Sequence, residues 1–312
     1  MQIAGNDVAM GRCRHYRRGL LKDVVADIFG VAGVTVRSGD KVLLKPNLIS
    51  GRRRDGLPCT HPMLVAAVAE WFCDHHARVA VGDSPAFGSA EQVMSACGYD
   101  EALRGLPVQR VNFAHRSPVR LTCGEKVGIA RAALECDFLV NLPKVKAHCQ
   151  MLTSLAVKNY FGVVVGWQKP LLHAKHGDIG HRFEELLVDL LAVLPTGFSL
   201  ADGVVAMHKN GPVKGGEPYL LGLLAGSFNP VALESGLLQI LGVDPERSPI
   251  WRECNRRQLP GSDPKTLVWS LAPLASMQVN DFILPQVLQP VSFRPQRLLS
   301  GAVKRLMAKV GL

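Results

Sequence analysis

In GLLKDVVADIFG (residues 19–30) apolar side chains recur three and four residues apart, a spacing that predicts an amphipathic helix. KVLLKPN (41–47) is continuously apolar until a proline interrupts it, and reads as a buried strand. HPMLVAAVAEWFCDH follows Thr60; Pro62 suits an early helical position, with Thr60 or His61 at the cap. RVAVGDSP (78–85) is strand-like, and SAEQVMSACG reads as a short helix capped by Ser89 and stopped by Gly98.

The alternation continues. PVQRVNF, PVRLT and CDFLVNLP predict strands, residues 153–161 a helix ending at Gly162, and RFEELLVDLLAVLP (182–195) an amphipathic helix. GFSLADG (197–203) and YLLGLLAG (219–226) read as strands, PVALESGLLQILG (230–242) as a helix opening on proline. The order predicts an α/β fold, a mainly parallel sheet with helices on both faces, for residues 1–245.

Residues 246–312 are expected to form a C-terminal extension packed on that domain. Its last stretch puts Leu298, Leu299, Ala302, Val303, Leu306, Met307 and Val310 on one face of a helix, with Lys304, Arg305 and Lys309 off it. This basic amphipathic helix is expected to dock on the domain, or to make a peripheral membrane or partner contact.

Charge sharpens the picture: 36 Lys and Arg against 26 Asp and Glu favour an anionic partner. Eight cysteines stand singly with no C-x-x-C pair, so the chain is expected to hold no iron–sulfur cluster of its own. The first residues lack the apolar core of a signal peptide, and no apolar run reaches the ~18 residues of a membrane span. The expectation is a cytoplasmic protein with reduced thiols.

Four apolar runs end in polar residues beside proline or glycine: at Lys45 and Asn47, at Asp83, at Asn141 and Lys144, and at Asp202; a fifth ends at Asn229. In a parallel sheet such ends share one edge, where ligands of open α/β sheets bind. In NLPKVKAHCQMLTSLAVKNYFG (141–162), Lys144, Lys146 and His148 alternate, so an extended segment points them the same way. Thr153 is expected to cap the next helix, whose free N–H groups attract an anion, with Lys158 and Asn159 one turn in and Lys169 beyond.

The residues therefore predict a crevice for a carboxylated or phosphorylated small molecule. Lys45, Asn47, Lys144, Thr153, Lys158, Asn159 and Lys169 would bind it, and Lys146, His148, Asp83 and Asp202 would supply acid–base chemistry, since crowding and burial lower lysine pKa values. His173 and His176, three apart on a helix, could hold a divalent metal with Asp83 or Asp202. Taken singly, Asp, Asn, Gly and Pro at strand ends are also plain turn formers, and K-x-K-x-H a solvated edge. No G-x-x-x-x-G-K loop and no G-x-S-x-G elbow is present.

KPN (45–47), THP (60–62), GDSP (82–85), NLPKVKAH, TSLAVKNYFG with Lys169 and His173, ADGVVAMHKNGPVKGG and FNPVALESGLLQILGVDP resemble the family called domain of unknown function 362, over residues 42–245. Some relatives carry a ferredoxin-like iron–sulfur domain; this chain has no matching cysteines, so the resemblance implies that a redox role would use a partner protein's cluster. Relatives often have aspartates where Asn229 and Glu234 stand here. Two further readings are a non-catalytic redox-associated accessory or ligand-carrying protein, and nucleic-acid binding through Arg12, Arg14, Arg17, Arg18 and the arginines 52–54. The last is disfavoured, because those arginines lack interleaved aromatics and a recognised module.

Overall fold

The computed structural model describes residues 5–51, 56–166, 168–176, 181–195, 197–212 and 215–288. The arginines 52–54 and the helix expected at 298–310 lie outside the described residues.

The chain opens with strand β1 (Asp7–Arg12), helix α1 (Arg18–Ala32), β2 (Lys41–Pro46), α2 (Pro62–Asp74), β3 (Arg78–Asp83), α3 (Ala90–Ala96), a short α4 (Tyr99–Ala102) and β4 (Val108–Asn112). A small hairpin, β5 (Arg116–Arg120) and β6 (Lys126–Ala130), and one turn of helix, α5 (Arg131–Leu134), lead into β7 (Phe138–Leu142), β8 (Lys144–His148) and β9 (Leu152–Ser154). Then come α6 (Ala156–Asn159), α7 (Gln168–His176), α8 (Arg182–Val193), the long β10 (Gly197–Lys209), β11 (Gly216–Tyr219), β12 (Leu223–Ser227), α9 (Pro230–Ile240), α10 (Pro249–Arg256) and β13 (Val268–Ser270).

The main sheet runs β13-β1-β12-β10-β7-β2-β3-β4. From β10 to β4 every neighbour is parallel, whereas β12 is antiparallel to both β10 and β1. Helices cover both faces, as the sequence predicts. Leu21, Val25, Ile28 and Phe29 of α1 pack with Leu64, Val68 and Phe72 of α2 on one side; Phe183, Leu187 and Leu190 of α8 and Leu233 and Leu237 of α9 lie in the two other core clusters. Each such buried side chain contributes roughly 1.5–3 kcal/mol.

Local chemistry sets the ends. The His61 ring accepts the Met63 N–H ahead of Pro62, and Ser89 and Gln92 form a capping box on α3. Beyond residue 245 the chain adds β13 alongside β1 in the main sheet and lays α10 against α8 and α9.

Three expectations are corrected. YLLGLLAG is two strands: Gly222 turns at φ 72° and separates β11 from β12. Because β12 runs antiparallel to β10, its end at Asn229 lies on the opposite sheet edge from the other four, and the Asn229 side chain caps α9 through the Val231 and Ala232 N–H groups. Thr153 caps nothing: it belongs to β9, and Leu155 precedes the four-residue α6, which a 3-10 turn (Tyr160–Val163) continues.

Candidate functional site

The ends of β2, β3 and β7 and the middle of β10 meet at one edge, and most of the predicted residues are buried there. Lys45 Nζ pairs with Asp83 Oδ1 at 2.9 Å, with side-chain exposures of 0% and 2%. Asp83 Oδ2 accepts the Leu48 N–H at 2.8 Å, and Lys45 also donates to the Pro46 carbonyl at 3.1 Å. Burial lowers the Lys45 pKa, and the Asp83 charge opposes that.

A second pair mirrors the first. Lys144 Nζ lies 2.9 Å from Asp202 Oδ2, at the position where β8 starts beside β10. Asp202 also accepts the Tyr16 hydroxyl at 2.6 Å and the His61 N–H at 2.9 Å, while Lys144 donates to the Tyr16 oxygen at 2.8 Å. Tyr16 stacks on His61, with ring centroids 3.6 Å apart. Burial and the Asp202 charge push the Tyr16 phenol well up; burial lowers His61 to about 4, so its ring is neutral.

Between the pairs runs a ladder of amides. Asn47 donates to Asn159 at 2.8 Å, Asn159 to Asn141 at 2.7 Å, and Asn141 to Ser199 at 3.1 Å. Thr60 ties this to the sheet, accepting the Asn47 N–H at 2.8 Å and donating to the Leu142 carbonyl at 2.6 Å. Buried amides satisfied in this way fix one geometry.

Lys146, Lys158 and Lys169 make no ion pair with a carboxylate among the described residues. Lys146 donates to Asn47 Oδ1 and, at 2.8 Å, to the Pro58 carbonyl. Lys169 donates to the carbonyls of Ser84 and Gly162. Lys158 lies over the rings of Phe161 and Phe183 at 5.9 and 6.0 Å, and among the described residues no hydrogen bond or ion pair reaches its ammonium. Burial lowers Lys146 and Lys169 to about 7 and Lys158 to about 8, and repulsion from Lys158 adds to the fall at the first two.

His148 Nδ1 accepts the N–H groups of Gln150 and Met151 at 3.1 and 3.3 Å, so the proton of the neutral ring sits on Nε2. Burial holds its pKa well below the ordinary value.

The start of α6 is not open to an anion, because Glu234 fills it: Glu234 Oε2 accepts the Val157 N–H at 2.9 Å. Burial raises this carboxyl to about 7. The Thr153 hydroxyl is buried without a partner among the described residues.

The metal reading finds no ligand set. His173 packs between the Phe161 and Phe183 rings, and His176 Nε2 faces Glu125 Oε1 at 3.0 Å. Asp83 and Asp202 are occupied by the lysines, and among the described residues no three His, Cys, Asp or Glu side chains converge as metal ligands.

A cavity of about 270 Å³ opens beside Lys144, walled by Tyr16, Cys59, Thr60, His61 and Cys97. Of the predicted site residues Lys144 alone lines it; Lys146, Lys158 and Lys169 do not. Sequence reasoning missed Tyr16. The signal was β1: DVAMGR carries buried Val8, Ala9 and Met10, and since β12 is antiparallel to both β1 and β10, β1 runs the same way as β10 and delivers Tyr16 to the ligand edge.

The family model described as Domain of unknown function (DUF362) matches residues 42–238, the span that supplies every one of these lysines and aspartates. The chain belongs to that family. A curated relative of this DUF362 chain is the "Thylakoid-associated protein sll1697" of Synechocystis sp., 34% identical over 95% of this chain and 93% of that protein. Two solved structures are similar: the lactate racemase apoprotein from Thermoanaerobacterium thermosaccharolyticum (13% identity, 64% of this chain, 51% of that one, TM-score 0.43) and a structural-genomics protein from Thermotoga maritima (12%, 70% and 57%, TM-score 0.45). The chain spans little more than half the length of these two solved proteins. Among the described residues no helix is long and apolar enough to cross a membrane.

Proposed function

We propose that this DUF362 protein is an enzyme that binds a small carboxylated or phosphorylated molecule at the strand-end edge. The observation that carries the reading is the group Lys146, Lys158 and Lys169, none ion-paired to a carboxylate among the described residues, each with its pKa lowered by desolvation to about 7, 8 and 7. Ammonium groups partly withdrawn from water with no ion-paired carboxylate are costly, and an anionic ligand offsets that cost. On this reading Lys146, Lys158 and Lys169 hold the anion. Lys45, Lys144, Asn47, Asn159 and Asn141 keep the frame through their ion pairs and amide bonds, and the Thr153 hydroxyl is free to meet a ligand oxygen.

The chemistry proposed for the site is proton transfer. A lysine whose pKa sits near neutrality exists in both forms at working pH, the requirement for a general base or acid, and Lys146 is the candidate. The neutral His148 with its proton on Nε2 can donate to a developing oxyanion. Asp83 and Asp202 act by holding lysines in place rather than by exchanging protons themselves.

The test is calorimetric titration with inorganic phosphate and with short dicarboxylates at pH 6.5. Binding by the wild type that is lost in Lys158→Met and Lys169→Met supports the reading; equal binding by all three proteins rejects it.

A second reading, a membrane-associated ligand carrier, draws on the thylakoid association for which the Synechocystis relative is named and on the basic amphipathic sequence at 298–310. Cosedimentation of the full chain, but not of a chain ending at residue 294, with anionic vesicles supports a membrane contact. Absence of metabolite turnover alongside retained anion binding then favours the carrier.

A further inference from the structure

Two cysteines line the cavity beside Lys144, and the acid–base reading uses neither. Cys59, nearly fully buried, follows β2 in the loop that carries Thr60; Cys97, half-buried, closes the last turn of α3. Their thiols share a hydrogen bond. The loop after β2 lies hard against α3, so that a methyl group on Gly51 would come within 2.7 Å of Ala96 Cβ. The two sulfurs therefore belong to different elements that are packed tightly together.

We propose that Cys59 and Cys97 form a dithiol that a small hydroperoxide converts to a disulfide, and that this closure weakens anion binding at the adjoining Lys146.

The surroundings single out Cys59. Its sulfur accepts the Ile49 N–H at 3.3 Å and the Ser50 N–H, with the Lys146 ammonium nearby. The Cys97 hydrogen bond, these backbone donors and Lys146 hold it as thiolate, lowered to about 6. Burial pushes Cys13 and Cys136 up to about 11 and about 12, and it also raises Cys73, Cys123, Cys149 and Cys254. Oxidation is thus directed to one sulfur, and a peroxide is small enough to reach it through the cavity.

The chemistry balances in two steps. The Cys59 thiolate attacks one oxygen of hydrogen peroxide; the S–O bond forms, the O–O bond breaks, and hydroxide leaves and takes a proton to become water. The Cys97 sulfur then attacks the sulfenic sulfur; the S–S bond forms, the S–O bond breaks, and the second water leaves with the Cys97 proton. Two thiols are oxidised by two electrons and one peroxide is reduced to two waters.

The consequence for anion binding rests on the function proposed above. The Cys59 thiolate raises the proton affinity of Lys146 against the effect of burial. A disulfide carries no charge, so its formation lowers the ammonium fraction of Lys146 near neutral pH and with it the anion affinity. A thiol reductant restores both.

The experiment treats the reduced full-length protein with one equivalent of hydrogen peroxide, alkylates the remaining thiols and maps the peptides by mass. The expected result is loss of two hydrogen masses and a Cys59–Cys97 cross-linked peptide, reversed by dithiothreitol and absent from Cys59→Ser and Cys97→Ser, with the other six thiols alkylated. Recovery of both cysteines alkylated, or of Cys59 as sulfinic acid beside an alkylated Cys97, overturns the dithiol. Phosphate titration of the two forms is expected to show several-fold weaker binding when oxidised. A disulfide with unchanged phosphate affinity overturns the coupling alone. Absence of phosphate and dicarboxylate binding by the reduced protein overturns the anion reading and the coupling together, and leaves the mass result to decide the dithiol.

Discussion

Lys45 and Asp83 form a fully buried ion pair that exists because residue 162 has no side chain: a methyl group there would run into Asp83 Oδ1 and the Lys45 ammonium together. Neither ion can move to water, since Asp83 also holds the Leu48 N–H and Lys45 the Pro46 carbonyl. Gly162→Ala is therefore expected to destabilise the fold by about 2–4 kcal/mol, as separating a buried pair does. Chemical denaturation checks this; a change within about 0.5 kcal/mol, the size of a surface effect, contradicts it.

Asp202 binds Lys144, Tyr16 and the His61 N–H at once. Asp202→Asn leaves Lys144 buried and uncompensated, with an expected loss of about 3 kcal/mol. Adding Lys144→Met to that variant is expected to recover part of the loss, because the stranded charge is then gone. A double-mutant cycle with no coupling would show that the two residues do not stabilise one another.

Glu234 sets a pH dependence of opposite sign to that of a salt-bridged acid. Its folded pKa is raised to about 7 from an ordinary 4.5, so between those values the folded state holds more protons than the unfolded one. Its contribution to stability is thus full below about pH 4.5 and is lost as pH rises toward 7. Glu234→Gln is expected to flatten the stability profile across that window; denaturation midpoints from pH 4.5 to 7.5 measure it, and an unchanged slope counts against the buried acid.

Lys158 costs stability in the absence of a ligand. Its folded pKa of about 8 lies below the ordinary 10.5, so below pH 8 the protein carries the penalty of a partly desolvated ammonium, which deprotonation removes between pH 8 and 10.5. Lys158→Met is expected to stabilise the free protein on the order of 2 kcal/mol at pH 7 while abolishing anion binding. Thermal shift read with and without phosphate separates the two effects, and a destabilised variant contradicts the assignment.

Much of this edge was legible in the sequence. The apolar runs that end at Lys45, Asp83, Asn141 and Asp202 do converge, because β2, β3, β7 and β10 are parallel, although Asp202 lies within β10, which runs on to Lys209 rather than stopping at Gly203. What could not be read was strand direction at the far side: Asn229 follows the same apolar-to-polar pattern, yet β12 is antiparallel and carries it to the other edge. Charge pairing was equally hidden. Lys144 and Lys146 look alike two residues apart, but only Lys144 faces an aspartate, and that depends on the β8–β10 register rather than on spacing. Thr153 has the local marks of a cap, and the distant Glu234 takes that place.

Lys158 is a half-buried ammonium with no ion-paired carboxylate among the described residues, and an anionic ligand is expected to pair with it. Lysine side-chain carbon NMR of labelled protein, titrated in pH with and without inorganic phosphate or a dicarboxylate, measures it directly. Lys158 is expected to titrate near 8 in the free protein and to move upward when the anion is added. Titration near the ordinary 10.5, unmoved by any anion, would contradict it.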